Sequence, residues 1–493
     1  MLKSTIIRKV QSELSPQPWV PKLHHKKGVK FLLENAGAGL LLDPGLGKTS
    51  ISLAAIKILK KERVFRRALV IAPLRVCYRV WPKEAKKWAD FNELKVVVLH
   101  GDKKDKALQE DADIYVINPD GLPWLMANGR FDQVRADTLI VDESSKFKHT
   151  NTQRFKQIKP KLPTFKRRWI LTGSPAPNGY LDLFGQIYMI DLGRALGQYI
   201  THYRFNYFYP TGYGGYTWVL QKGKDKDIEK RIKPCTLRLD AEDYLDMPEV
   251  IENVIRVDLP EKVQKIYDQM EDDMFATLEG GAEITALNVA AASVKCSQIA
   301  NGGIYHQLGA DPFAMDLSGF TTQRTWTNIH TAKVDALREL VEELQGSPLL
   351  TAYDFEHDLD RLRTEFGKDV PVMGGGTNMR KTGLIEDAWN AGEYPLLLAH
   401  PQAMGHGLNL QGSGHHVCWH SLTWDYELYD QFIRRVRREG QAHAAVYVHH
   451  IVARNTIDET KLKAMRSKAK TQNSLLAALK DYRRSKKVGN GSK

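Results

Sequence analysis

The segment Asp43-Pro-Gly-Leu-Gly-Lys-Thr49 has the composition of a phosphate-binding loop. It lies between an apolar run and a helical pattern, and its glycines permit a tight turn whose N–H groups face a phosphate. The helix that follows adds its positive N-terminal end. The spacing predicts that Lys48 contacts phosphates and Thr49 holds Mg²⁺, although Leu42 departs from the first glycine of the full pattern. The residues predicted to bind the nucleotide here are Gly45, Leu46, Gly47, Lys48, Thr49 and Ser50.

Two further segments place polar residues directly after apolar runs. The run TLIVDE ends in Asp142 and Glu143, and the run RWILTG is followed by Ser-Pro-Ala-Pro-Asn. Ligands of α/β folds bind at the carboxyl ends of strands, so we expect Asp142 to complete a Mg²⁺ site and Glu143 to orient or deprotonate water. Thr172 and Ser174 are predicted to relay the state of this carboxylate pair. The alternative for that segment is a plain Gly-Pro turn.

A fourth segment, Gln431 to Gln441, places two arginines three residues apart. Arg435 and Arg438 therefore share one helical face. An arginine that reaches a γ-phosphate stabilises the charge that develops in phosphoryl transfer. For an isolated arginine run, a basic and exposed helix end is the simpler interpretation.

The elements around these segments alternate between short β-rich runs and helical patterns. Such alternation predicts parallel sheets covered by helices on both faces. The predicted organisation is an N-terminal extension 1–22, a first lobe 23–250 with an insertion at 180–235, a helical linker or insertion 251–330, a second lobe 331–460 and a basic tail 461–493.

The aromatic stretch 203–218 and a group of late histidines have two interpretations each. The aromatics could stack on bases, but core packing of the insertion is the favoured interpretation. The histidines follow no spacing typical of metal ligands, so no metal site is predicted there.

Composition limits the class of protein. The chain has 493 residues, a net charge of +13 and four scattered cysteines. The charge suggests an acidic partner such as nucleic acid, with solubility as the alternative, and the tail carries eleven Lys or Arg against one acid. There is no membrane span, signal peptide or disulfide framework, so a reduced cytoplasmic location is expected. Secreted disulfide scaffolds, membrane proteins and collagen-like chains are excluded.

Taken together and in this order, the four segments resemble a superfamily-two helicase-type ATPase. The pattern Q-x-x-x-R-x-x-R-x-G-Q is typical of its Swi/Snf-related branch, and Gly405–Leu410 and Ala72–Arg75 resemble further motifs of that branch. The phrase Gly-Ser-Pro-Ala-Pro-Asn and the compact size resemble bacteriophage-encoded members in particular. The resemblance spans residues 23 to 460.

This resemblance implies an α/β fold of two RecA-like parallel-sheet lobes with helical insertions, with ATP between the lobes and DNA across their top. It implies that Arg435 and Arg438 reach over from the second lobe and that Gln431 lies near the γ-phosphate. Gly407 and Asn409 would line the cleft and the nucleic-acid side. Arg75 and Thr351 are the candidates for contacts with DNA phosphates.

Two residues depart from the family pattern. His25 stands in the adenine-reading segment, where the family usually has Gln, and a neutral imidazole offers one donor and one acceptor. Ser145 stands where the family usually has a His that couples to the Thr-Gly-Ser-Pro segment. We expect this coupling to run through Lys146 or water instead.

The resemblance implies a DNA-dependent ATPase that translocates on duplex or branched DNA without separating strands. It would remodel DNA structures or displace bound proteins in replication, recombination or repair. One alternative is a helicase that unwinds DNA or RNA. Another is a nucleic-acid-binding scaffold whose ATP site is only a switch.

Overall fold

The computed structural model describes residues 16–173, 175–176, 179–211, 217–279, 286–305, 325–374, 377–404 and 407–467. The chain divides into two compact units, Met1–Asp246 and Met247–Lys493. Each unit holds a parallel β-sheet with helices between its strands. The predicted fold class is therefore confirmed.

The strands of the first unit are β1 (Gly37–Leu42), β2 (Ala68–Ile71), β3 (Val96–Val98), β4 (Ile114–Ile117), β5 (Thr138–Asp142), β6 (Arg167–Thr172), β7 (Phe208–Thr211), β8 (Thr217–Leu220) and β9 (Thr236–Leu239). Its main sheet has the strand order β3-β4-β2-β5-β6-β1-β9, and the pairs of this sheet are parallel. Its helices are α1 (Leu23–Glu34), α2 (Lys48–Lys61), α3 (Leu74–Arg79), α4 (Trp81–Lys87), α5 (Lys104–Leu108), α6 (Leu122–Met126), α7 (Arg130–Val134), α8 (Gln153–Ile158), α9 (Leu183–Asp191), α10 (Ile200–Tyr207) and α11 (Lys224–Ile232).

The central strands are apolar because helices cover both faces of the sheet. Every residue of β2, β4 and β5 is buried. Strands of parallel sheets read as continuous apolar runs for this reason, whereas strands with one wet face alternate. These runs are the ones from which the sequence analysis predicts strands.

The predicted insertion holds α9 to α11 and an antiparallel pair, β7 with β8. Tyr203, Tyr207 and Phe208 are buried in the core of the first unit. The favoured interpretation of the aromatic stretch, core packing, is confirmed for these three residues. Phe205 and Tyr209 are exposed, and residues 212–216 lie outside the described chain.

The strands of the second unit are β10 (Glu249–Val257), β11 (Gly303–Tyr305), β12 (Trp326–Asn328), β13 (Leu349–Ala352), β14 (Val372–Met373), β15 (Leu396–Ala399), β16 (His416–Trp419) and β17 (Ala445–Ala453), of which β11 and β12 form a separate antiparallel pair. The other six form a parallel sheet with the strand order β10-β17-β16-β13-β15-β14. The helices of this unit are α12 (Glu261–Glu279), α13 (Ala286–Asn301), α14 (Ala332–Glu343), α15 (Glu356–Phe366), α16 (Met379–Asn390), α17 (Tyr426–Ile433) and α18 (Ile457–Arg466).

The sequence analysis misses strand β10. It assigns most of this strand to a helical linker, whereas β10 pairs with β17 along nine residues at the edge of the second sheet. Polar side chains are exposed along β10 because only one neighbour covers it. Its sequence therefore lacks the apolar run on which strand prediction depends.

A network of buried polar groups joins the helices of the second unit to its sheet. Lys333 Nζ lies 2.5 Å from Asp458 Oδ2, and neither side chain is measurably exposed. Lys333 Nζ also donates to Asn301 Oδ1 (2.7 Å), and Asn301 Nδ2 donates to Asp358 Oδ2 (3.0 Å). Ser421 Oγ donates to the same carboxylate oxygen at 2.6 Å. Buried charges are tolerated when they are paired and hydrogen-bonded, as these are.

Among the described residues, no helix combines the length and the apolar character that crossing a membrane requires.

The Lys333–Asp458 pair yields a stability prediction. We expect Lys333→Ala to lower the free energy of unfolding by about 3–5 kcal/mol, because it leaves a buried carboxylate without its partner. Urea denaturation measures this loss. The control is Lys265→Ala, because Lys265 pairs with Glu261 on the surface and exposed pairs contribute little. A Lys333→Ala protein as stable as the control protein would contradict the prediction.

Candidate ATP site

Three of the predicted motifs follow three neighbouring parallel strands. Strand β1 pairs with β6, where Leu41 lies opposite Thr172, and β6 pairs with β5, where Asp142 lies opposite Leu171. Because all three strands run in one direction, the segments that follow them leave the same edge of the sheet. The structure therefore brings together the loop before α2, the pair Asp142–Glu143 and Thr172.

The loop before α2 has the backbone of a phosphate cradle. Gly45 and Gly47 have φ values of +95° and +68°, which favour glycine. Lys48 begins α2, and its Nζ donates to Leu42 O at 2.8 Å. The first N–H groups of a helix have no partner within the helix, and the helix dipole favours an anion there. Loop, helix end and ammonium group are thus suited to bind phosphate.

Two contacts fix the start of this loop within the first unit. Asp43 Oδ2 accepts a hydrogen bond from Ala241 N at 3.0 Å, which ties the loop to the chain after β9. Gly173 packs against Pro44, because a Cβ on Gly173 would lie 3.0 Å from Pro44 Cδ. The loop is therefore held from both neighbouring strands of β1.

His25 packs directly on the phosphate-binding loop. A Cβ added to Gly47 would lie 2.6 Å from His25 Nε2. His25 Nδ1 accepts a hydrogen bond from Lys22 N at 3.1 Å, which assigns the proton of a neutral ring to Nε2. The ring therefore presents a donor toward the loop, where it could serve an acceptor nitrogen of a base.

Asp142 is buried and held in a defined orientation. Its Oδ2 accepts from Trp81 Nε1 at 3.0 Å, and its Oδ1 accepts from Glu143 N at 3.1 Å. Burial, with the charge of Asp142 as a smaller contribution, raises the pKa of the nearby Cys77 thiol to about 12. Cys77 is therefore a neutral core residue rather than a nucleophile.

Glu143 has the left-handed backbone conformation, with φ +56° and ψ +59°. Residues other than glycine adopt it at a cost, and such conformations concentrate at functional sites. The turn that follows, Ser144–Phe147, is a single 3₁₀ segment. Ser144 connects this turn to the Thr-Gly-Ser-Pro segment through Gln186, whereas the sequence analysis expects a connection through Lys146 or water.

Other predicted nucleotide contacts are placed as follows. Leu46 is fully buried, so it offers only its backbone to a ligand. Ser50 Oγ donates to Glu84 Oε1 at 2.5 Å, so its hydroxyl joins α2 to α4 instead of facing the loop. Thr49 is partly exposed in the first turn of α2. Of the predicted hydroxyl ligands, Thr49 remains the candidate for Mg²⁺.

The predicted relay and DNA-contact residues have different surroundings. Thr172 is completely buried at the end of β6, and Ser174 lies outside the described residues. Arg75 is partly exposed at the start of α3, which follows β2. Thr351 is completely buried within β13. Thr351 therefore offers no surface to a DNA phosphate in this conformation, in contrast to the prediction for it.

In the second unit, the segments around residues 408 and 435 are in contact. Arg435 is buried, its Nη1 donates to Leu408 O at 3.4 Å, and Leu410 N donates to Arg435 O at 2.9 Å. Gly407 has a φ of +90°, which allows the chain to turn into this contact. Gln431 Nε2 donates to Glu427 Oε1 at 2.8 Å on α17.

Asn409 and Arg438 share a neighbour, Glu386 on α16. Glu386 Oε1 accepts from the exposed Asn409 N at 2.8 Å. Burial lowers the pKa of the Arg438 guanidinium to about 10, and the charge of Glu386 opposes this shift. Arg438 Nε donates to Arg434 O at 2.9 Å. Arg438 is therefore affected by an acidic side chain from another helix, whereas Arg434 pairs with Asp430 on α17.

Four of the late histidines are buried, namely His416, His420, His449 and His450. His416 Nδ1 lies 3.1 Å from His449 Nε2, and burial lowers the pKa of both rings to about 4. Within the described ranges, no group of three or more His, Cys, Asp or Glu side chains is arranged to hold a metal ion.

Sequence reasoning misses several residues that position the site: Trp81, Glu84, Gln186 and Glu386. Gln186 has a detectable signal, because it is the single amide in the apolar helix LFGQIYMID. The other three stand in mixed polar segments, where nothing in the spacing indicates their partners.

Comparison with known proteins identifies the family of this chain. The SNF2-related domain family model matches residues 24–301. The chain is 35% identical over 478 residues to "Putative protein p41" of Acyrthosiphon pisum secondary endosymbiont phage 1, covering 94% of this chain and 99% of the relative. A solved structure, the Sulfolobus solfataricus SWI2/SNF2 ATPase core in complex with dsDNA, is 22% identical, with a TM-score of 0.43 and coverage of 92% of both chains.

Cellular relatives are longer. "Putative ATP-dependent helicase/translocase YwqA" of Bacillus subtilis is 25% identical over 88% of this chain and 46% of its own length. "DNA repair and recombination protein RAD54B" of Gallus gallus is 24% identical over 88% of this chain and 52% of its own length. The chain thus spans about half the length of these cellular relatives. With the family model matched over more than half of its residues, the chain belongs to the SNF2-related family, and its relatives indicate an ATP-hydrolysing enzyme.

Proposed function

We propose that this protein is a DNA-dependent ATPase that translocates on duplex or branched DNA. It would thereby remodel DNA structures or displace bound proteins during replication, recombination or repair. The observation that carries the proposal is the convergence of three motifs at one edge of the first sheet, after β1, β5 and β6. The cytoplasmic location expected from the sequence stays part of this proposal.

The phosphate-binding loop supports the ATPase part of the proposal. Lys48 Nζ is hydrogen-bonded to Leu42 O, the last residue of β1, and thus lies over the loop. We propose that it exchanges this carbonyl for the β- and γ-phosphates when ATP binds. The N–H groups at the start of α2 would hold the same phosphates. His25 would meet the base with its Nε2 proton.

The oxygen ligands at the sheet edge fit Mg²⁺. Mg²⁺ takes few protein ligands and prefers carboxylate and hydroxyl oxygens together with water and substrate phosphates. Asp142 at the end of β5 and Thr49 in the first turn of α2 supply these groups. When bound, Mg²⁺ would neutralise charge on the phosphates. Glu143 would orient the attacking water or take its proton.

The second unit would contribute the arginines. We propose that Arg435 and Arg438 stabilise the charge on the γ-phosphate and that Gln431 lies near it, as the family resemblance implies. Thr172 and Ser174 would relay the nucleotide state within the first unit. Gly407, Asn409 and Arg75 are the remaining candidates for contacts along the cleft and with DNA.

DNA is the proposed partner for two reasons. The chain carries a net charge of +13, and eleven of its basic residues fall in 461–493. One of the relatives described above, RAD54B, is named as a DNA repair and recombination protein. Contacts with the phosphate backbone carry no sequence information, so we expect low sequence specificity and steep salt dependence.

Two alternatives remain outcomes of the test. A helicase would separate strands of DNA or RNA in an ATP-dependent way. A scaffold with an ATP switch would bind ATP without turnover. The joint presence of Lys48, Asp142, Glu143, Arg435 and Arg438 argues against the switch, because a degenerate site usually lacks at least one such group.

The first experiment measures ATP hydrolysis alone and with single-stranded, duplex and forked DNA and with RNA. We expect strong stimulation by duplex or forked DNA and its loss in Lys48→Ala, because the ammonium no longer binds the phosphates. Stimulation by RNA alone, or displacement of a labelled strand, would favour the helicase. Binding of ATP without hydrolysis under any condition would favour the scaffold.

The Trp81–Asp142 contact gives a second prediction. We expect Trp81→Phe to lower kcat about 10- to 100-fold and to raise the Mg²⁺ concentration needed for half-maximal activity, because partners of metal-binding residues orient them. The matched control is Trp88→Phe, since Trp88 Nε1 donates to Glu84 Oε1 and not to Asp142. Equal activity of the two variants would contradict this role of Trp81.

The tail gives a third prediction. Deletion of 471–493 removes six basic residues and one acid. We expect DNA affinity to fall and the slope of log K against log salt to flatten by about 2–5, while basal ATP hydrolysis persists. Titration of duplex DNA at several salt concentrations measures this slope. A full-length variant with these six residues changed to Gln is the control for length, and an unchanged slope would refute the prediction.

A further inference from the structure

Gln186 contacts two motifs, the turn after β5, which lies 42 residues before it, and the segment after β6, which lies 11 residues before it. Its side chain is buried within α9. Gln186 Oε1 accepts from Ser144 Oγ at 2.7 Å, next to Glu143, and Gln186 Nε2 donates to Pro175 O at 2.5 Å. The same Nε2 donates to Asp182 O at 2.9 Å. One amide therefore holds both the turn after β5 and the segment after β6.

The helix that carries Gln186 packs very closely on that turn. A Cβ on Gly185 would lie 2.3 Å from Phe147 O and 2.8 Å from Lys148 O, so backbone meets backbone there. Lys148 Nζ also lies 3.3 Å from Asp182 Oδ2. With Ser144 and Gln186, these contacts fix α9 to the turn at three successive points. A displacement of the Glu143 turn must therefore displace α9.

We propose that Gln186 is a positioning residue that transmits the state of the Glu143 turn to the segment around Pro175. This inference rests on the proposed function, because the transmission would link the binding of ATP to the DNA-stimulated rate of ATP hydrolysis. Ser145, Lys146 and bridging water are not needed for this connection. The reaction that this connection would regulate is the proposed hydrolysis of ATP in the first unit.

This role requires both the acceptor and the donor group of the Gln186 side-chain amide. The carbonyl oxygen accepts from the serine, and the amino group donates to the proline carbonyl. A carboxylate at position 186 can still accept the hydrogen bond from Ser144 Oγ. It cannot donate to Pro175 O and places a second acceptor oxygen next to that carbonyl. Removal of the Ser144 hydroxyl breaks the first contact and leaves the second. Gln186→Glu and Ser144→Ala therefore interrupt the connection at different ends.

The test compares wild type, Gln186→Glu, Ser144→Ala and the matched control Gln198→Glu, an exposed glutamine in the same unit. The first readout is the ratio of DNA-stimulated to DNA-free ATP hydrolysis, together with KM for ATP. The second is hydrogen exchange of peptides covering 171–190 with and without a non-hydrolysable ATP analogue and Mg²⁺. Thermal melting identifies a variant that fails to fold.

We expect the stimulation ratio to fall about 2- to 30-fold in Gln186→Glu and Ser144→Ala with KM unchanged, which is the usual range for residues that modulate coupling. The analogue should slow exchange over 171–190 in wild type and Gln198→Glu and should do so less in the other two. If Gln186→Glu does not fold, the Ser144→Ala variant alone tests the inference, because the loss of a single hydroxyl perturbs the fold less.

Two results would overturn the inference. One is a stimulation ratio in Ser144→Ala equal to that of wild type. The other is an equal fall of stimulated and DNA-free rates, which indicates a merely structural role. If wild type hydrolyses no ATP, the proposed function fails by itself. The exchange readout then decides the inference, because an unaltered response in both variants would refute it.

Discussion

Parallel pairing of β6 with both β1 and β5 is the constraint on which the candidate ATP site depends. It delivers the phosphate-binding loop, the carboxylate pair and Thr172 to one edge, although they are far apart in the chain. The pairing is stable because helices cover the sheet and its central strands are wholly buried. A shift of one residue in the register of β1 would exchange the faces on which Leu40 and Leu41 lie and would displace the phosphate-binding loop relative to Thr172.

The sequence predicted the structure correctly where a residue type favours one kind of local structure. Apolar runs predicted the central strands, and glycines with a following Lys-Thr predicted the loop before α2, because few other residues tolerate its left-handed turns. Strand β10 escaped prediction because polar residues such as Glu252 and Asn253 interrupt its apolar residues at the sheet edge. The fold class was thus predictable, whereas an exposed edge strand was not.

The partners of the site residues could not be predicted, because they depend on packing between distant segments. Trp81 meets Asp142 across 61 residues, and Ala241 meets Asp43 across 198. Nothing in the spacing of these residues indicates the contact. For Thr351, in contrast, the sequence suggested a contact that its position in the structure does not allow. Its motif-like position suggested a phosphate contact, but its strand lies inside the second sheet and buries it.

The buried pair in the second unit sets a limit on how this protein can be dissected. Asp458 belongs to α18, and Arg466 at the end of that helix bonds to Glu252 Oε2 on β10 at 2.8 Å. A fragment that ends before α18 would leave Lys333 Nζ without the Asp458 carboxylate and would remove the Arg466 contact from Glu252. Any fragment of the second unit that folds on its own must therefore include α18 through residue 466, whether or not the chain beyond that residue is needed.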